Sequence, residues 1–323
     1  MNHKFLKSLI AGTAFFSASS IAQPIGLELS QACAADGCFQ GDAPGFPITI
    51  ARSGSYFLTS NLTVDQPGDA GIVITASDVY LTLNNFVIDG LVQCSGNPVT
   101  CPPDAPPSNG VAGTAQTKNI TVEGGTVRGF GQWGVATDTN WRISRIRAIF
   151  NNRLGIYVRR GSIVEDSLFE FNAGAGAQVG ELGTLINSQS SSNSGPGITT
   201  FDTDPGNGGR GGATLESVTV FNNLGPGIQD HGRASIVNSV VFNNQSYGVL
   251  SQNGGTRIAS SRIFENNLEG VAANNGGFFV AGGLPVTIRD SFIEANNGGG
   301  TQVSGGRIQI LEGTTCGFNV SCQ

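Results

Sequence analysis

The chain has 323 residues, and its composition restricts the fold class before any motif is considered. It contains 48 glycines and 13 prolines, and each interior glycine costs a helix roughly 1 kcal/mol relative to alanine, so a helical bundle is excluded. The 19 phenylalanines and many valines and isoleucines oppose intrinsic disorder. A formal charge of −6 and a pI near 4.9 argue against nucleic acid as a partner. The composition therefore predicts a β-rich, turn-dense protein.

Residues 1–22 have the pattern of a Sec-type signal peptide. Lys4 and Lys7 precede an apolar stretch, and Ser20-Ile21-Ala22 places small residues where signal peptidase cuts, so cleavage is expected before Gln23. The mature chain is then periplasmic or secreted. No other apolar run approaches the roughly 20 residues of a membrane span, so none is expected.

The six cysteines fall into pairs that are close in sequence, which in an exported chain predicts three small disulfide-closed loops. The predicted pairs are Cys33 with Cys38, Cys94 with Cys101, and Cys316 with Cys322. The chain is accordingly divided into the signal peptide, an N-terminal segment 23–46 with a local disulfide, a repeat domain 47–315, and a disulfide-closed tail 316–323.

An internal repeat begins at Trp141. Each of seven blocks contains a short β-branched run, a Ser or its equivalent, a second run often ending in Phe, an Asn, a Gly-rich turn and a third run. Three short strands per repeat indicate a chain that coils into a solenoid. The asparagines recur at intervals of 21, 21, 29, 22, 22 and 30 residues, at Asn151, Asn172, Asn193, Asn222, Asn244, Asn266 and Asn296.

The recurring Asn has a physical reason. Its short side chain tolerates the left-handed conformation of a sharp bend and can bond to backbone in neighbouring coils. We therefore expect an Asn ladder along a solenoid with 21–22-residue coils. Beside it we expect a stack of phenylalanines inside the solenoid, about 4.8 Å apart, formed by Phe150, Phe171, Phe221, Phe242 and Phe264.

Blocks of the form I-x-[ND]-S-x-x-x-x-N…G-I-x-V resemble the right-handed parallel β-helix repeats of the pectate-lyase-like superfamily. The segment from Ile48 to Gly90 also resembles the entry region of such proteins, and the similarity extends from about Pro47 to Gly313. The resemblance implies an all-β fold, a single-stranded right-handed parallel β-helix. It does not imply one activity, because the superfamily includes lyases, hydrolases, epimerases and adhesins.

Two insertions of about eight residues interrupt the period, at 202–212 and 274–285, and both are expected after the G-I-x-V strand, on one edge of the solenoid. Since superfamily members bind substrate beside their longest turn, the resemblance implies a substrate groove beside these two insertions. The alternative is that both insertions are surface loops that bind no substrate. Asp202, Asp204 and Asn207 in the first insertion offer oxygen ligands suited to Ca²⁺, although a solvated acidic turn explains them as well.

Arginines are concentrated in two coils, where guanidinium groups beside an aromatic ring suit recognition of a uronic acid or a sulfated sugar. A lyase of this fold also needs a base for the proton α to the carboxylate. The candidate catalytic residues are Arg159, Arg142, Asp138 and His231, and the candidate substrate-binding residues are Trp141, Arg160 and Glu165. Salt bridges that hold adjacent coils together explain the same residues equally well.

These patterns predict an exported β-helix protein that binds or processes an acidic polysaccharide or cell-surface glycan, with β-elimination as its chemistry. The alternative is a non-catalytic surface, adhesion or matrix scaffold. The motifs of β-helix polygalacturonases and alginate epimerases are absent from the sequence, which leaves both functions open.

Overall fold

The computed structural model describes residues 26–201, 212–252, 255–267, 278–280, 285–305 and 308–317. Its helices in these ranges are short: α1 covers Gln31–Ala34, with Ser30 as N-cap, and a 3-10 turn covers Asn297–Gly299. All other regular structure there is β-strand, as the glycine content and the repeat predict.

The strands in the first half of the chain are β1 (Leu27–Leu29), β2 (Ile48–Ile50), β3 (Gly54–Leu58), β4 (Leu62–Thr63), β5 (Ile72–Ile74), β6 (Val79–Thr82), β7 (Val87–Asp89), β8 (Asn109–Gly113), β9 (Ile120–Arg128), β10 (Trp133–Ala136), β11 (Trp141–Ile149), β12 (Leu154–Val158), β13 (Ile163–Glu165) and β14 (Leu168–Glu170). The strands that follow are β15 (Ala177–Val179), β16 (Thr184–Ile186), β17 (Gln189–Ser191), β18 (Ile198–Thr200), β19 (Thr214–Glu216), β20 (Thr219–Phe221), β21 (Ile228–Asp230), β22 (Ser235–Val237), β23 (Val240–Phe242), β24 (Val249–Ser251), β25 (Arg257–Ala259), β26 (Arg262–Phe264), β27 (Phe278–Val280), β28 (Val286–Arg289), β29 (Phe292–Glu294), β30 (Val303–Gly305), β31 (Ile308–Ile310) and β32 (Thr315–Cys316).

Within the described residues these strands form two sheets in which every paired strand is parallel to its neighbours. Sheet 1 has 11 strands, in the order β2-β5-β8-β10-β12-β15-β18-β21-β24-β27-β30, and takes one strand from each coil. Sheet 2 has 21 strands and takes the remaining part of each coil. Each strand pairs with the equivalent strand of the next coil, as in β12 with β15, where Ile156 lies opposite Ala177. The chain is therefore a solenoid.

One coil shows how the repeat sequence produces its shape. After β12 the chain turns at residues 159–162 and enters β13, bends at Asp166 into β14, and bends again at Phe171 before the next sheet 1 strand. Asp166 and Phe171 have φ values of 50° and 52°, in the left-handed region that non-glycine residues seldom adopt. Equivalent left-handed residues recur in later coils, so the two bends are a constant feature.

A serine at the first bend forms hydrogen bonds with backbone groups of the adjacent coil. The backbone N–H of Ile146 donates to Ser167 Oγ at 3.1 Å, and the N–H of Ser167 donates to Ser188 Oγ at 3.1 Å. Ser167 Oγ in turn donates to the carbonyl of Glu165 at 2.7 Å. The Ser of each sequence block is therefore a structural residue that satisfies backbone groups where the strand geometry is interrupted.

The predicted Asn ladder is present at the second bend. Each member donates from its Nδ2 to the Oδ1 of the next, at distances of 2.8 to 3.1 Å. The fourth member is Asn223, which is fully buried, and not Asn222, which is exposed at φ 55°. The intervals become 21, 21, 30, 21, 22 and 30 residues. The adjacent asparagines Asn222 and Asn223 caused the fourth ladder position to be predicted one residue too early.

The phenylalanines stack, but the prediction that they stack inside the solenoid is wrong. Phe221, Phe242 and Phe264 lie parallel at 5.0 and 5.2 Å, and Phe150 and Phe171 form a separate pair at 5.3 Å. All five are only half-buried. Phe221, Phe242 and Phe264 each follow an inward-facing strand residue, so alternation points them outward, whereas Phe150 and Phe171 lie at the left-handed second bend. The core consists of inward-facing aliphatic residues such as Val220, Val241 and Ile263, all at 0% exposure.

The two insertions do not share an edge. The first lies where predicted, between β18 and β19, although residues 202–211 are outside the described part of the chain. The second was placed at 274–285, but β27 occupies part of that range and pairs with β24. Counting from Asn266, the additional residues come before β27 in the sequence and not after it. The predicted groove between two loops on one edge is therefore wrong.

Two of the predicted disulfides are formed between described residues. Cys33 bonds to Cys38 and Cys94 bonds to Cys101. Cys316 is also disulfide-bonded, whereas its predicted partner Cys322 lies outside the described residues. Segments on either side of the predicted 47–315 domain contribute to sheet 2, because β1 pairs with β3 and β32 pairs with β29. The predicted signal peptide 1–22 lies outside the described residues.

Candidate functional site

Three of the predicted site residues lie in one column at the end of sheet 1. The register of its strands, continued one or two residues past the strand ends, places Asp138, Arg159 and His231 in the same column. Arg159 and Asp138 are neighbours, with Nη1 and Oδ1 3.7 Å apart. His231 is three coils beyond Arg159, about 14 Å at 4.8 Å per coil. Arg159 and His231 are therefore too far apart to share one proton transfer.

The ion pair of Arg159 with Asp138 leaves the Arg159 guanidinium free to bind a further anion. Asp138 is held in place because its Oδ2 accepts a hydrogen bond from the backbone N–H of Gln116. The side chain of Arg159 is 52% exposed, whereas that of Asp138 is 13% exposed. Since 3.7 Å exceeds the length of a charge-assisted hydrogen bond, the guanidinium retains donors that can bind an external anion.

Arg142 is bound more tightly. Its Nε and Nη2 donate to Glu165 Oε1 at 3.0 and 2.6 Å, which pairs two predicted site residues with each other on the outer face of sheet 2. Arg160 pairs at 3.9 Å with Glu181 of the following coil. The predicted cluster thus separates into ion pairs between adjacent coils, as the salt-bridge alternative required.

Trp141 cannot serve as a platform for a sugar ring. Its side chain is 1% exposed and belongs to the core, where an added Cβ on Gly113 would lie 2.3 Å from its Cζ2. Trp141 starts β11, and alternation along that strand directs it inward while Arg142 points outward. The prediction that Trp141 binds substrate is therefore wrong.

The outer face of sheet 1 carries aromatic residues that the sequence analysis did not identify. Trp133 stacks on Tyr157 with ring centroids 4.7 Å apart, and Tyr157 stacks on Phe201 at 5.4 Å. The interplanar angles are 18° and 14°, and all three rings are half-buried. We call Trp133, Tyr157 and Phe201 the aromatic stack. It lies beside the Arg159 column, since Phe201 is itself a member of that column.

The same face carries neutral polar side chains. Gln178, Thr199 and Gln229 follow Tyr157 in register along sheet 1, and each is half-buried. Amides and hydroxyls both donate and accept hydrogen bonds. This face therefore combines an apolar stack, a line of hydrogen-bonding groups and an exposed guanidinium.

The turn that contains His231 is held by the buried Asp230, whose carboxylate accepts from the backbone N–H groups of Gly232 and Ala234. Asp230 is 1% exposed and accepts hydrogen bonds from the hydroxyls of Thr200 and Thr256, both at 2.5 Å, and from the N–H of Gly232 at 2.8 Å. Burial lowers the pKa of His231, and the charge of Asp230 opposes that shift. The neutral imidazole is thereby favoured near neutral pH.

The predicted calcium ligands Asp202, Asp204 and Asn207 lie outside the described residues. Among the residues that the structure does describe, no group of three or more His, Cys, Asp or Glu side chains is arranged to hold a metal ion. In the same ranges, no helix has the length and apolar character needed to cross a bilayer.

Comparison with known proteins identifies the architecture. Residues 129–282 match a family described as "Right handed beta helix region". The Dettilon tailspike protein has 13% identity and a TM-score of 0.67, over 84% of this chain and 58% of the tailspike chain, so this chain spans little more than half of it. The A-module of mannuronan C-5 epimerase AlgE4 from Azotobacter vinelandii has 14% identity and a TM-score of 0.56, over 82% of this chain and 89% of the module.

Pectate lyase Pel9A has 16% identity and a TM-score of 0.57, over 81% of this chain and 69% of the lyase. A comparison with curated protein sequences finds no match. The chain therefore folds as a right-handed parallel β-helix, the fold that it shares with these structures. At these identities the likeness defines the fold, and the function must be argued from the site.

Proposed function

We propose that this β-helix is an exported protein that binds an acidic polysaccharide along the outer face of sheet 1. The observation that carries the proposal is the aromatic stack beside the loosely paired Arg159 on one face. Aromatic rings offer apolar area for the C–H groups of sugar rings, and a guanidinium binds a carboxylate with charge-assisted hydrogen bonds. The line of Gln178, Thr199 and Gln229 supplies partners for sugar hydroxyls.

The similar structures support this class of ligand. Their names describe a mannuronan epimerase, a pectate lyase and a periplasmic alginate epimerase, so parallel β-helices of this shape act on acidic polysaccharides. Disulfides persist in oxidising compartments, and the two described disulfides together with the signal-peptide pattern of residues 1–22 support export.

Processing by β-elimination is a further part of the proposal. In this reaction a base takes the proton α to the uronate carboxylate, and the electron pair of that C–H bond forms the C=C double bond. The adjacent glycosidic C–O bond breaks, and the leaving oxygen takes up a proton from water. Arg159 is the candidate base, because Arg142 is occupied by Glu165 and His231 lies three coils away. It would accept the proton in its neutral form and return to the guanidinium cation that binds the carboxylate. Calcium bound by the Asp202 loop is the candidate cofactor for neutralising the carboxylate.

The binding test uses the purified protein with polygalacturonate and alginate, and with dextran as a neutral control. We expect Arg159→Gln and Trp133→Ala each to weaken binding by about tenfold or more, because each removes a contact worth roughly 1.5 kcal/mol or more. Arg142→Gln is the matched control: it removes the same charge from the outer face of sheet 2 and should leave the affinity unchanged.

The same polymers test elimination through the ultraviolet absorbance of the unsaturated product, with calcium added or chelated. Product that disappears in Arg159→Gln identifies a lyase, and a loss on chelation identifies the metal requirement. Binding without product favours the non-catalytic scaffold. If neither acidic polymer binds, or if Arg142→Gln weakens binding as much as Arg159→Gln does, the proposed site is wrong.

A further inference from the structure

A second groove lies at the second bend of the coils, away from the outer face of sheet 1. Its volume is about 380 Å³, within the range of roughly 300–1,000 Å³ typical of small-molecule sites. We call it the edge groove. It is lined by Asn97, Ser192, Asn222, Asn243, Asn244, Gln245 and Glu265.

One wall of the edge groove is a rigid loop. The Cys94–Cys101 disulfide closes the loop, and Ser95 and Thr100 exchange two backbone hydrogen bonds of 2.9 Å across it. Val99 anchors it to a distant coil, since its N–H donates to Ser194 Oγ at 2.7 Å and Ser194 Oγ donates to the carbonyl of Val99 at 3.1 Å. Asn97, between these anchors, is thus held in place before any ligand arrives, which lowers the entropic cost of binding.

The opposite wall is a column of left-handed residues. Ser192, Asn222, Asn243 and Glu265 occupy equivalent positions in successive coils, with φ values between 52° and 56°. Successive coils place their side chains about 4.8 Å apart along the solenoid axis. The wall therefore repeats regularly and suits a linear ligand that lies parallel to the axis.

The backbone of this wall is already engaged. The N–H of Ser192 donates to the carbonyl of Phe221 at 3.3 Å, and the N–H of Asn243 donates to the carbonyl of Glu265 at 3.1 Å. An added peptide strand needs unpaired backbone groups and side-chain pockets. Recognition in the edge groove therefore depends on side chains, which disfavours a peptide.

Those side chains are suited to hydroxyl groups. Five of the seven lining residues are carboxamides, which both donate and accept, and vicinal sugar hydroxyls require both. The only charged group among the seven is Glu265, so an anionic ligand would meet repulsion. The buried Oδ1 of Asn243 has no hydrogen-bond partner, and a hydroxyl donor would satisfy it after the side chain rotates.

We propose that the edge groove binds a neutral oligosaccharide along the solenoid axis. The site is independent of the proposed acidic polysaccharide site, because no residue is shared between the groove and the outer face of sheet 1. Each can therefore fail without the other.

The test titrates the full protein by calorimetry with linear tetrasaccharides of glucose, mannose, galactose and xylose. Asn222→Asp and Asn243→Asp retain the shape and the left-handed preference of asparagine but remove the amide donors. We expect each to weaken binding by about tenfold, since each removes an amide donor that faces the hydroxyl groups of the ligand. Asn238→Asp is the matched control because Asn238 has φ 51° at the first bend, away from the groove.

The proposal is supported if a tetrasaccharide binds the wild type, Asn222→Asp and Asn243→Asp lose binding, and both Asn238→Asp and Trp133→Ala keep it. It is overturned if no tetrasaccharide binds, or if Asn238→Asp loses binding equally. Loss in Trp133→Ala alone would move the ligand to sheet 1 and also overturn it. Calcium binding that Glu265→Gln abolishes, without any sugar binding, would make the groove a cation site instead.

Discussion

Replacing Asn223 by alanine tests the register of the Asn ladder. Asn223 is fully buried, and its Oδ1 accepts from the backbone N–H of Asn193 at 3.1 Å and from Asn193 Nδ2 at 2.9 Å. Its Nδ2 donates to Asn244 Oδ1 at 2.9 Å and to the carbonyl of Ser190 at 3.2 Å. Asn223 Nδ2 also donates to the carbonyl of Phe221 at 3.1 Å, and the substitution removes all five bonds.

The loss in the free energy of unfolding depends on which buried polar groups have no hydrogen-bond partner left once the Asn223 side chain is removed. Asn193 Nδ2 retains the carbonyl of Phe169 at 3.1 Å, whereas the backbone N–H of Asn193 is left buried without an acceptor. One orphaned buried group costs about 1–3 kcal/mol, and each weakened bond adds roughly 1 kcal/mol. We therefore expect Asn223→Ala to lower the free energy of unfolding by about 2–5 kcal/mol.

Urea unfolding followed by circular dichroism measures this loss, because the midpoint shift multiplied by a shared slope gives the free-energy difference. Hydrogen exchange at the Asn193 amide should accelerate in parallel. Asn222→Gly is the matched control: Asn222 is exposed at φ 55°, which glycine adopts freely, so the loss should stay below about 1 kcal/mol. If Asn222→Gly shifts the midpoint as far as Asn223→Ala does, the ladder passes through Asn222 and the structural register is wrong.

Three further predictions concern packing, charge and pH. Gly227→Ala should destabilise strongly and lower the thermal midpoint, since the added Cβ would lie 2.4 Å from Val241 Cγ1; a normal melting curve would contradict the close packing. Arg142→Met should change the free energy of unfolding in urea by less than about 1 kcal/mol, because the Arg142 side chain is 54% exposed and pairs with Glu165 at the surface; a larger loss would show that such pairs hold the coils together. The pKa of His231 is lowered in the folded state, so its contribution to stability is present above pH about 6.5 and is lost as pH falls through the folded pKa. His231→Gln should therefore flatten the fall in the free energy of unfolding below pH about 6.5. An unchanged profile of the free energy of unfolding against pH would refute the lowered pKa of His231.

The sequence predicted the solenoid well because each coil repeats the same physical requirements. Asn193 and Asn244 recur wherever a sharp bend needs a buried amide, and the period of 21 or 22 residues made that visible without any structure. The register failed only where two asparagines were adjacent. Position 222 needs a left-handed conformation and position 223 needs a buried amide, and asparagine satisfies both.

The candidate site was harder to predict because it has no period. Trp133, Tyr157 and Phe201 are separated by 24 and 44 residues, and their rings meet from different positions along sheet 1 strands. A large side chain reaches across several ångströms, so ring contacts need not follow the coil register. The signal that could have revealed Tyr157 is its place at the x of G-I-x-V, which alternation directs outward.

Trp141 shows the opposite error. An aromatic residue beside arginines suggested a binding platform, yet the alternation along β11 places its ring inside and the arginine outside. Assigning each residue to an inner or outer face before grouping it by chemistry would have separated Trp141 from Arg142. The ion pairs with Glu165 depended on rotamers that periodicity does not specify.

The Asn ladder also has a direction. From Asn151 onward every side chain donates its Nδ2 toward the C-terminal end and accepts from the N-terminal end, so the amide dipoles add along the axis. The series stops at Gln302, whose Oε1 accepts from both the N–H and the Nδ2 of Asn296, while its Nε2 folds back to the carbonyl of Asn296. Gln302 thus ends the series of hydrogen-bonded amides within the coil of Asn296. A further coil, from this chain or from another copy, would find no free amide group with which to continue the series.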